Sequence, residues 1–363
     1  MSAPCRRPPR HPDPLRSPAD RRRHGPAGLL LCLLFLATAL PCGAEPLRLA
    51  LWHTGLGRDG PGLLLRDIRR GAADVLAARD ALVTLAPDAI VLLDVDHDRD
   101  LLALRAFAAL LAEGGLVLPH AHAPRPNSGL ATGLDLDGNG RRGEADDAQG
   151  WGRFAGAGGM ALLSRWPIGG SLDFSDFLWQ DLPGKQLPMQ AGQPFPSPEV
   201  FAVQRLSSTG HWQVTLATPG GPLTLLAWHA GPPLFGGPHE RNALRNAAET
   251  AFWRWRLDTA PPQTPFVLIG NSNLDPQTGA GDRAVMGALL AHPLLQDPAP
   301  QAPRPGTIGP PTTATAHWPD GPGALRVDYL LPDRRLIVRD AGLLWPNPGA
   351  THAILWADLI LPD

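Results

Sequence analysis

Several apolar runs in this chain stop at side chains that can bind cations, hold anions or move protons. In Thr264–Pro276 the residues Phe266, Val267, Leu268 and Ile269 lead into Gly270, then into Asn271, Ser272, Asn273 and Asp275. Trp52-His53-Thr54, Leu92-Leu93-Asp94-Val95-Asp96 and Ala227-Trp228-His229-Ala230 end in the same way, and Arg326-Val327-Asp328-Tyr329 and Ala350-Thr351-His352 follow near the C-terminus. Carboxylates offer hard oxygen ligands, histidines exchange protons near neutral pH, and amides orient an anion without charging it. Each group alone has a plainer reading. Asn271 and Asp275 suit a turn, Asp94 and Asp96 a strand cap, His229 a satisfied strand-end histidine, and Asp328 a pair with Arg326 or Arg334. Their repetition at strand ends is what points to one site.

Two further groups are patterned. In Asp135-Leu136-Asp137-Gly138-Asn139-Gly140, oxygens alternate before a glycine, and Asp146 falls where a Ca2+ loop places its last ligand. Pro126–Gly133 and Gln149–Gly158 on either side are glycine-rich, so the alternative is a solvated acidic turn. The helical stretch His239–Leu257 spaces Arg241, Arg245 and Glu249 four residues apart, with Asn242 and Asn246 alongside. Arg245 and Glu249 read as an exposed ion pair, while Arg241 and Asn242 stand near the helix start, where a phosphate can be held.

Hydrophobic periodicity supplies the elements that must position these residues. Strands are expected at Leu47–Trp52, Ala89–Val95, Gly159–Trp166, Trp212–Ala217, Leu223–His229, Phe266–Ile269, Leu325–Leu331, Leu336–Val338 and Ile354–Leu361. Helices are expected at Leu64–Leu85, Asp100–Ala112 and His239–Leu257. Pro219-Gly220-Gly221-Pro222 is a hairpin signal, which disfavours a wholly parallel doubly wound sheet. The expected fold is α/β, with two mixed sheets stacked face to face and helices outside, in one domain over residues 45–363. Ala123–Gly158, Leu182–Pro198 and Asp297–Thr312 read as long surface loops.

The first 44 residues form a pattern of their own. Arg6, Arg7, Arg10, Arg16 and Arg21–Arg23 precede an apolar run from Ala27 to Leu40, and Pro41-Cys42-Gly43-Ala44 resembles a cleavage site. This is the order of a secretory signal peptide, and the apolar run is too short for an ordinary membrane span. An exported mature chain beginning at Glu45 is therefore expected, with no stable membrane span. Cys5, Cys32 and Cys42 are the only cysteines, so cleavage excludes disulfides and thiolate metal sites from that chain. Of 32 basic and 34 acidic residues, seven arginines and two aspartates leave with the leader, so the remainder carries about −7. Lys185 is the only lysine, and such a surface argues against tight binding of long DNA.

Taken in order, the motifs resemble a known family. Leu92–Asp96, the strand ending at His229, Gly270–Pro276, Arg326–Pro332 and Ala350–Leu359 look like the endonuclease/exonuclease/phosphatase superfamily, the DNase I-like metal-dependent phosphoesterases. Gly159–Arg165 and Arg241-Asn242 add to a match that spans Leu47 to Pro362. The resemblance implies a four-layer α/β sandwich that hydrolyses a phosphate ester with Mg2+ or Mn2+. It implies that Asp94, with His53, holds the metal, and that Asn273 and His229 orient and polarise the phosphate, with Arg241 and Asn242 nearby. It also places Asn271 at the water-activating position and has Asp328 steer His352.

The pattern is broken at four places. His53 stands where the family has Asn, Asp94 where it has Glu, Asn271 where its GDxN motif has Asp, and Thr351 where its SDH motif has Asp. Asn271 matches aspartate in shape but cannot accept a proton, and Thr351 removes a negative charge beside the metal. His53 shifts the expected preference from Mg2+ towards Mn2+ or Zn2+. The motifs favour an exported phosphoesterase with a partly degenerate site, acting on a small or lipid phosphoester rather than long DNA. The alternatives are a pseudoenzyme that binds a phosphorylated ligand and a Ca2+-stabilised interaction protein of the envelope. Oligomeric state is left open.

Overall fold

A computed structural model describes residues 45–304 and 310–362. The leader expected over residues 1–44 lies outside the described residues.

Alternation along the strands explains the layering. In Leu47–His53, the side chains of Leu47, Leu49 and Leu51 face one way and those of Ala50 and Trp52 the other. Ala89–Val95 divides likewise into Ala89, Val91 and Leu93 against Ile90 and Leu92. The first sets meet Leu223, Leu225 and Ala227 of strand Gly221–His229, and Val267 and Ile269 of strand Phe266–Asn271, in one apolar layer between two sheets. The second sets pack under helices Leu63–Arg69, Ala73–Leu85 and Leu102–Glu113. Beyond the other sheet, Leu226, Trp228, Phe266 and Leu268 pack against helices Arg241–Thr259 and Arg283–Leu290. Helix, sheet, sheet and helix make the expected four-layer sandwich.

The six-stranded sheet runs Ile337–Leu344, Ile354–Ile360, Leu47–His53, Ala89–Val95, Gly159–Ser164, His120–His122. The five-stranded sheet runs Asp328–Pro332, Phe266–Asn271, Gly221–His229, Gly210–Thr218, Ile168–Asp173. Each contains one parallel pair, Leu47–His53 with Ala89–Val95 and Gly221–His229 with Phe266–Asn271. The polar residues that end these strands occupy their carboxyl ends, where α/β sheets bind ligands. Arg48 forks onto both oxygens of Asp358 at 2.8 and 2.7 Å, joining the first and last strands.

Three expected boundaries are corrected. Leu64–Leu85 is two helices, because Gly71 turns left-handed (φ 67°) between them. Gly159–Trp166 ends at Ser164, and after Pro167 the chain crosses to the other sheet as Ile168–Asp173. Leu325–Leu331 is divided between a small hairpin, Ala316–Trp318 with Gly323–Leu325, and the sheet strand Asp328–Pro332. Among the described residues, no helix is long and apolar enough to cross a membrane.

Candidate active site

His53, His229 and Asn271 close the strands of the two parallel pairs, on the same alternation as the side chains between the sheets. Asp328 faces Asn271 in register, and His229 faces it from the opposite neighbour. The apolar layer thus surfaces as a row of polar groups. The two sheets meet there through their imidazoles: His53 stacks on His352 (4.2 Å between centroids, 12° between planes) and meets His229 edge-on at 5.2 Å. Trp318 packs its ring edge-on to His352 at 5.3 Å.

Asp328 organises this row. Its carboxylate accepts from His352 Nδ1 at 2.8 Å and from the Asn271 amide at 2.8 Å. Because the partner of Nδ1 is a carboxylate, Nδ1 carries a proton. Burial pushes the Asp328 carboxyl up, but the imidazole of His352, its hydrogen bond, His53 and Asn271 together hold it below the usual range. Asn271 Oδ1 accepts from the Asn273 N–H at 2.8 Å, and the Asn273 amide donates to the Ala230 carbonyl at 2.8 Å. Burial lowers the His53 pKa, with His352 adding to it, and burial with His53 lowers that of His229, so both rings are neutral. Thr315 went unnoticed in the sequence; its hydroxyl accepts from the Val327 and Asp328 N–H groups and so fixes the carboxylate.

Asp94 is set apart from the alternation. A bulge between Leu93 and Val95 lifts it out of the ladder, and its backbone is left-handed at φ 56°, an unfavourable conformation for a residue with a Cβ. Its carboxylate rests against Gly57 and Gly158, where an added Cβ would lie 2.5 and 2.8 Å from Oδ1. Among the described residues the Asp94 carboxylate meets no hydrogen-bond donor, whereas Asp96 beside it accepts from the N–H groups of Arg58 and Gly158. Burial raises the Asp96 pKa to about 6 against those bonds. Asp94 and His229 both border two clefts, of about 750 and 530 Å3. The smaller cleft reaches His53, Asn273, Thr351 and His352; the larger reaches Arg241 and Asn242.

The helix after His229 behaves differently from expectation. Arg245 and Glu249 are buried rather than an exposed pair, with Glu249 fully enclosed. Arg245 donates to the carbonyls of Gln149, Arg205, Leu206 and Ser207, and Glu249 accepts from the N–H groups of Ser208 and Gly231. The reason is loop backbone, whose carbonyls and amides need partners once buried. Arg241, 9 % exposed, reaches Gln204 at 3.4 Å and leaves its buried Nε without a partner, while Asn242 donates to the Leu234 carbonyl.

In the acidic loop, Asp147 rather than Asp146 gathers with Asp135 and Asp137, the three offering oxygens within 4.8 Å of one another. Asp146 borders the larger cleft, and Asn139 bonds Asp137 and Glu144.

A pH prediction follows from His211, 1 % exposed, which donates Nε2–H to the Glu249 carbonyl at 3.1 Å. Burial lowers its pKa to about 4. The unfolded ring takes up a proton near 6.5 that the folded ring refuses until about 4, so this contribution is full above 6.5 and lost as pH falls through that window. Glu249, raised to about 7 by burial, acts oppositely: its contribution is full below its unfolded value and lost as pH rises through 7. His211→Gln is expected to lower the slope of unfolding free energy between pH 4.5 and 6 by about 1.4 kcal/mol per pH unit. Denaturant titrations across that range read it directly.

Solved structures share this architecture. The chain is similar to an endonuclease/exonuclease/phosphatase from Beutenbergia cavernae, at 20% identity and a TM-score of 0.55 over 87% of this chain and 72% of that one. It is also similar to the human Nocturnin catalytic domain with bound sulfate anion, at 16% identity and a TM-score of 0.50 over 88% of this chain and 94% of that one. No curated protein matches the sequence. The sequence model of the Endonuclease/Exonuclease/phosphatase family matches residues 62–352, and the chain belongs to that family.

Proposed function

We propose that this protein is an exported divalent-metal-dependent phosphoesterase that acts on a small or lipid phosphoester rather than on long DNA. The observation that carries this reading is that Asp94, a carboxylate with no hydrogen bond among the described residues, and His352 line one cleft, with His352 held from behind by Asp328, which Asn271 also bonds.

The donor set fits one hard cation. Among the described residues Asp94 has no hydrogen bond that a cation would have to displace, and His53 is neutral and able to donate a lone pair. Mg2+ and Mn2+ need few protein ligands because water and phosphate oxygens complete their shells. When bound, such a cation supplies charge neutralisation and polarisation of the phosphoryl oxygens.

The protein's own groups do the rest. His229 and Asn273 border the cleft that holds the phosphate and orient it. Asn271 stands at the family's water-activating position, but its amide is committed to Asp328 and its Oδ1 to the Asn273 N–H, so it accepts no proton from the attacking water. That proton is left to His352 Nε2, and the imidazolium that forms is stabilised by Asp328 across the 2.8 Å bond. Arg241, with its unpartnered Nε, supports a role on the phosphate from the larger cleft. Export rests on the leader pattern in residues 1–44. The close triad of Asp135, Asp137 and Asp147 supports a structural Ca2+ in the loop.

The test is hydrolysis of bis(p-nitrophenyl) phosphate by the chain from Glu45 onward. Turnover with Mg2+ or Mn2+ is expected, abolished by EDTA and reduced at least tenfold by Asp94→Gly. Because glycine accepts φ 56° freely, that variant is expected to melt no lower than the native chain. Cation-independent turnover, or a native rate from Asp94→Gly, would refute the assignment of Asp94.

A further inference from the structure

A third groove, of about 650 Å3, continues from the candidate site past Asn273 and Trp318. Its walls are Pro232, Pro233, Leu234 and Phe235 on one side and Trp318 and Leu325 on the other. Both walls begin in the site itself. The first leaves the strand that ends at His229, and Trp318 of the second packs on His352. Phe235 is 86% exposed and Leu234 40% exposed, an unusual cost for large apolar side chains flanking a polar cleft. Prolines 232, 233, 319 and 322 stiffen both walls, so an occupant orders little backbone on binding.

The chemistry of the lining narrows the occupant. Among the described residues it contains no lysine, arginine or histidine, and its charges are Asp275 and Asp320. A polynucleotide would need cations along that path for its phosphates. Hydrogen-bonding capacity is also low. Asp275 is occupied by the N–H groups of Gln277, Thr278 and Arg326. A nucleobase or sugar would leave its polar edges unmatched there. Hydrocarbon would not.

We infer that this groove is the subsite for an aliphatic chain on the substrate's alcohol, so that the protein prefers phosphoesters of long-chain alcohols. The inference rests on the phosphoesterase reading, and Leu234 and Phe235 become specificity determinants outside the reacting groups.

Binding of inorganic phosphate, butyl, hexyl and octyl phosphate and uncharged 1-hexanol to the cation-loaded protein, measured by calorimetry, separates the two ideas. Burial of hydrocarbon predicts roughly fourfold tighter binding per added methylene from butyl to octyl phosphate. The double variant Leu234→Ser, Phe235→Ser is expected to flatten that series and leave inorganic phosphate binding unchanged, since both side chains are exposed and their loss spares the core. A flat series in the native chain, with inorganic phosphate still bound, overturns the groove and leaves the phosphoesterase reading intact. Loss of all phosphate binding, with 1-hexanol still bound in a manner sensitive to the double variant, supports the groove and sinks the phosphoesterase reading. A dimer in sedimentation that the double variant dissociates would assign the groove to a second copy of the chain and overturn the proposal.

Discussion

Asn271→Asp is expected to raise metal-dependent phosphodiester turnover by about 10²–10⁴-fold, the range a positioned general base contributes. The same change carries a cost visible in the geometry. The Asn271 amide donates to Asp328 Oδ1 at 2.8 Å, and the two residues are 0% and 1% exposed. An aspartate would put two carboxylate oxygens in that contact, and the pair must share a proton or a cation. A pKa raised in the folded state gives stability that is full below the unfolded value and lost as pH rises through the folded one. The variant should therefore melt below the native chain at pH 7.5, recover at pH 5, and recover again on adding Mn2+ at pH 7.5. Kinetics and calorimetry on the same preparation check both halves. A melting point indifferent to pH and cation, with no gain in rate, would show that position 271 lies outside the reacting centre.

The second large effect is expected at Asp328. Asp328→Asn keeps the volume but replaces a carboxylate oxygen with an amide, so the Nδ1 proton of His352 loses its acceptor and the ring can take the wrong tautomer. Turnover should fall about 10³–10⁴-fold with modest loss of stability. Asp328→Ala strands the Asn271 amide and the imidazole without a partner in a dry site, and should cost about 3 kcal/mol of unfolding free energy as well. Kinetics separate the positioning role from the structural one: a purely structural Asp328 would lose stability in both variants while the asparagine form kept its rate.

Much of the fold was legible because its strands are apolar on both faces or alternate cleanly. Leu47–His53, Ala89–Val95, Gly221–His229 and Phe266–Asn271 announce themselves, and their polar terminal residues share one rim. What stayed hidden depends on contacts distant in sequence. Ile168–Asp173 is exposed along most of its length and shows no alternation to read. Helix Arg283–Leu290 is short and lies beyond a polar loop. Within the site, the residues alone left Asp328 open to a pair with Arg326, and only the family resemblance joined it to His352; Arg326 instead bonds Asp297. Helical spacing suggested solvent for Arg245 and Glu249; only the loops folded over them reveal burial.

Arg245 carries a consequence for where this chain tolerates change. One guanidinium ties Gln149, within the long loop, to the stretch Arg205–Ser207, and Glu249 one turn later ties Ser208 to Gly231. Segments far apart in sequence are thereby riveted to a single helix. Foreign peptide inserted at the exposed tip around Arg141 and Arg142 has slack to accommodate it, while an insertion of one residue beside Gln149 or Ser207 pulls on the same rivet and is felt beside His229. Laboratory evolution of new specificity thus has a pliable margin at the tip and an unforgiving seam a few residues away.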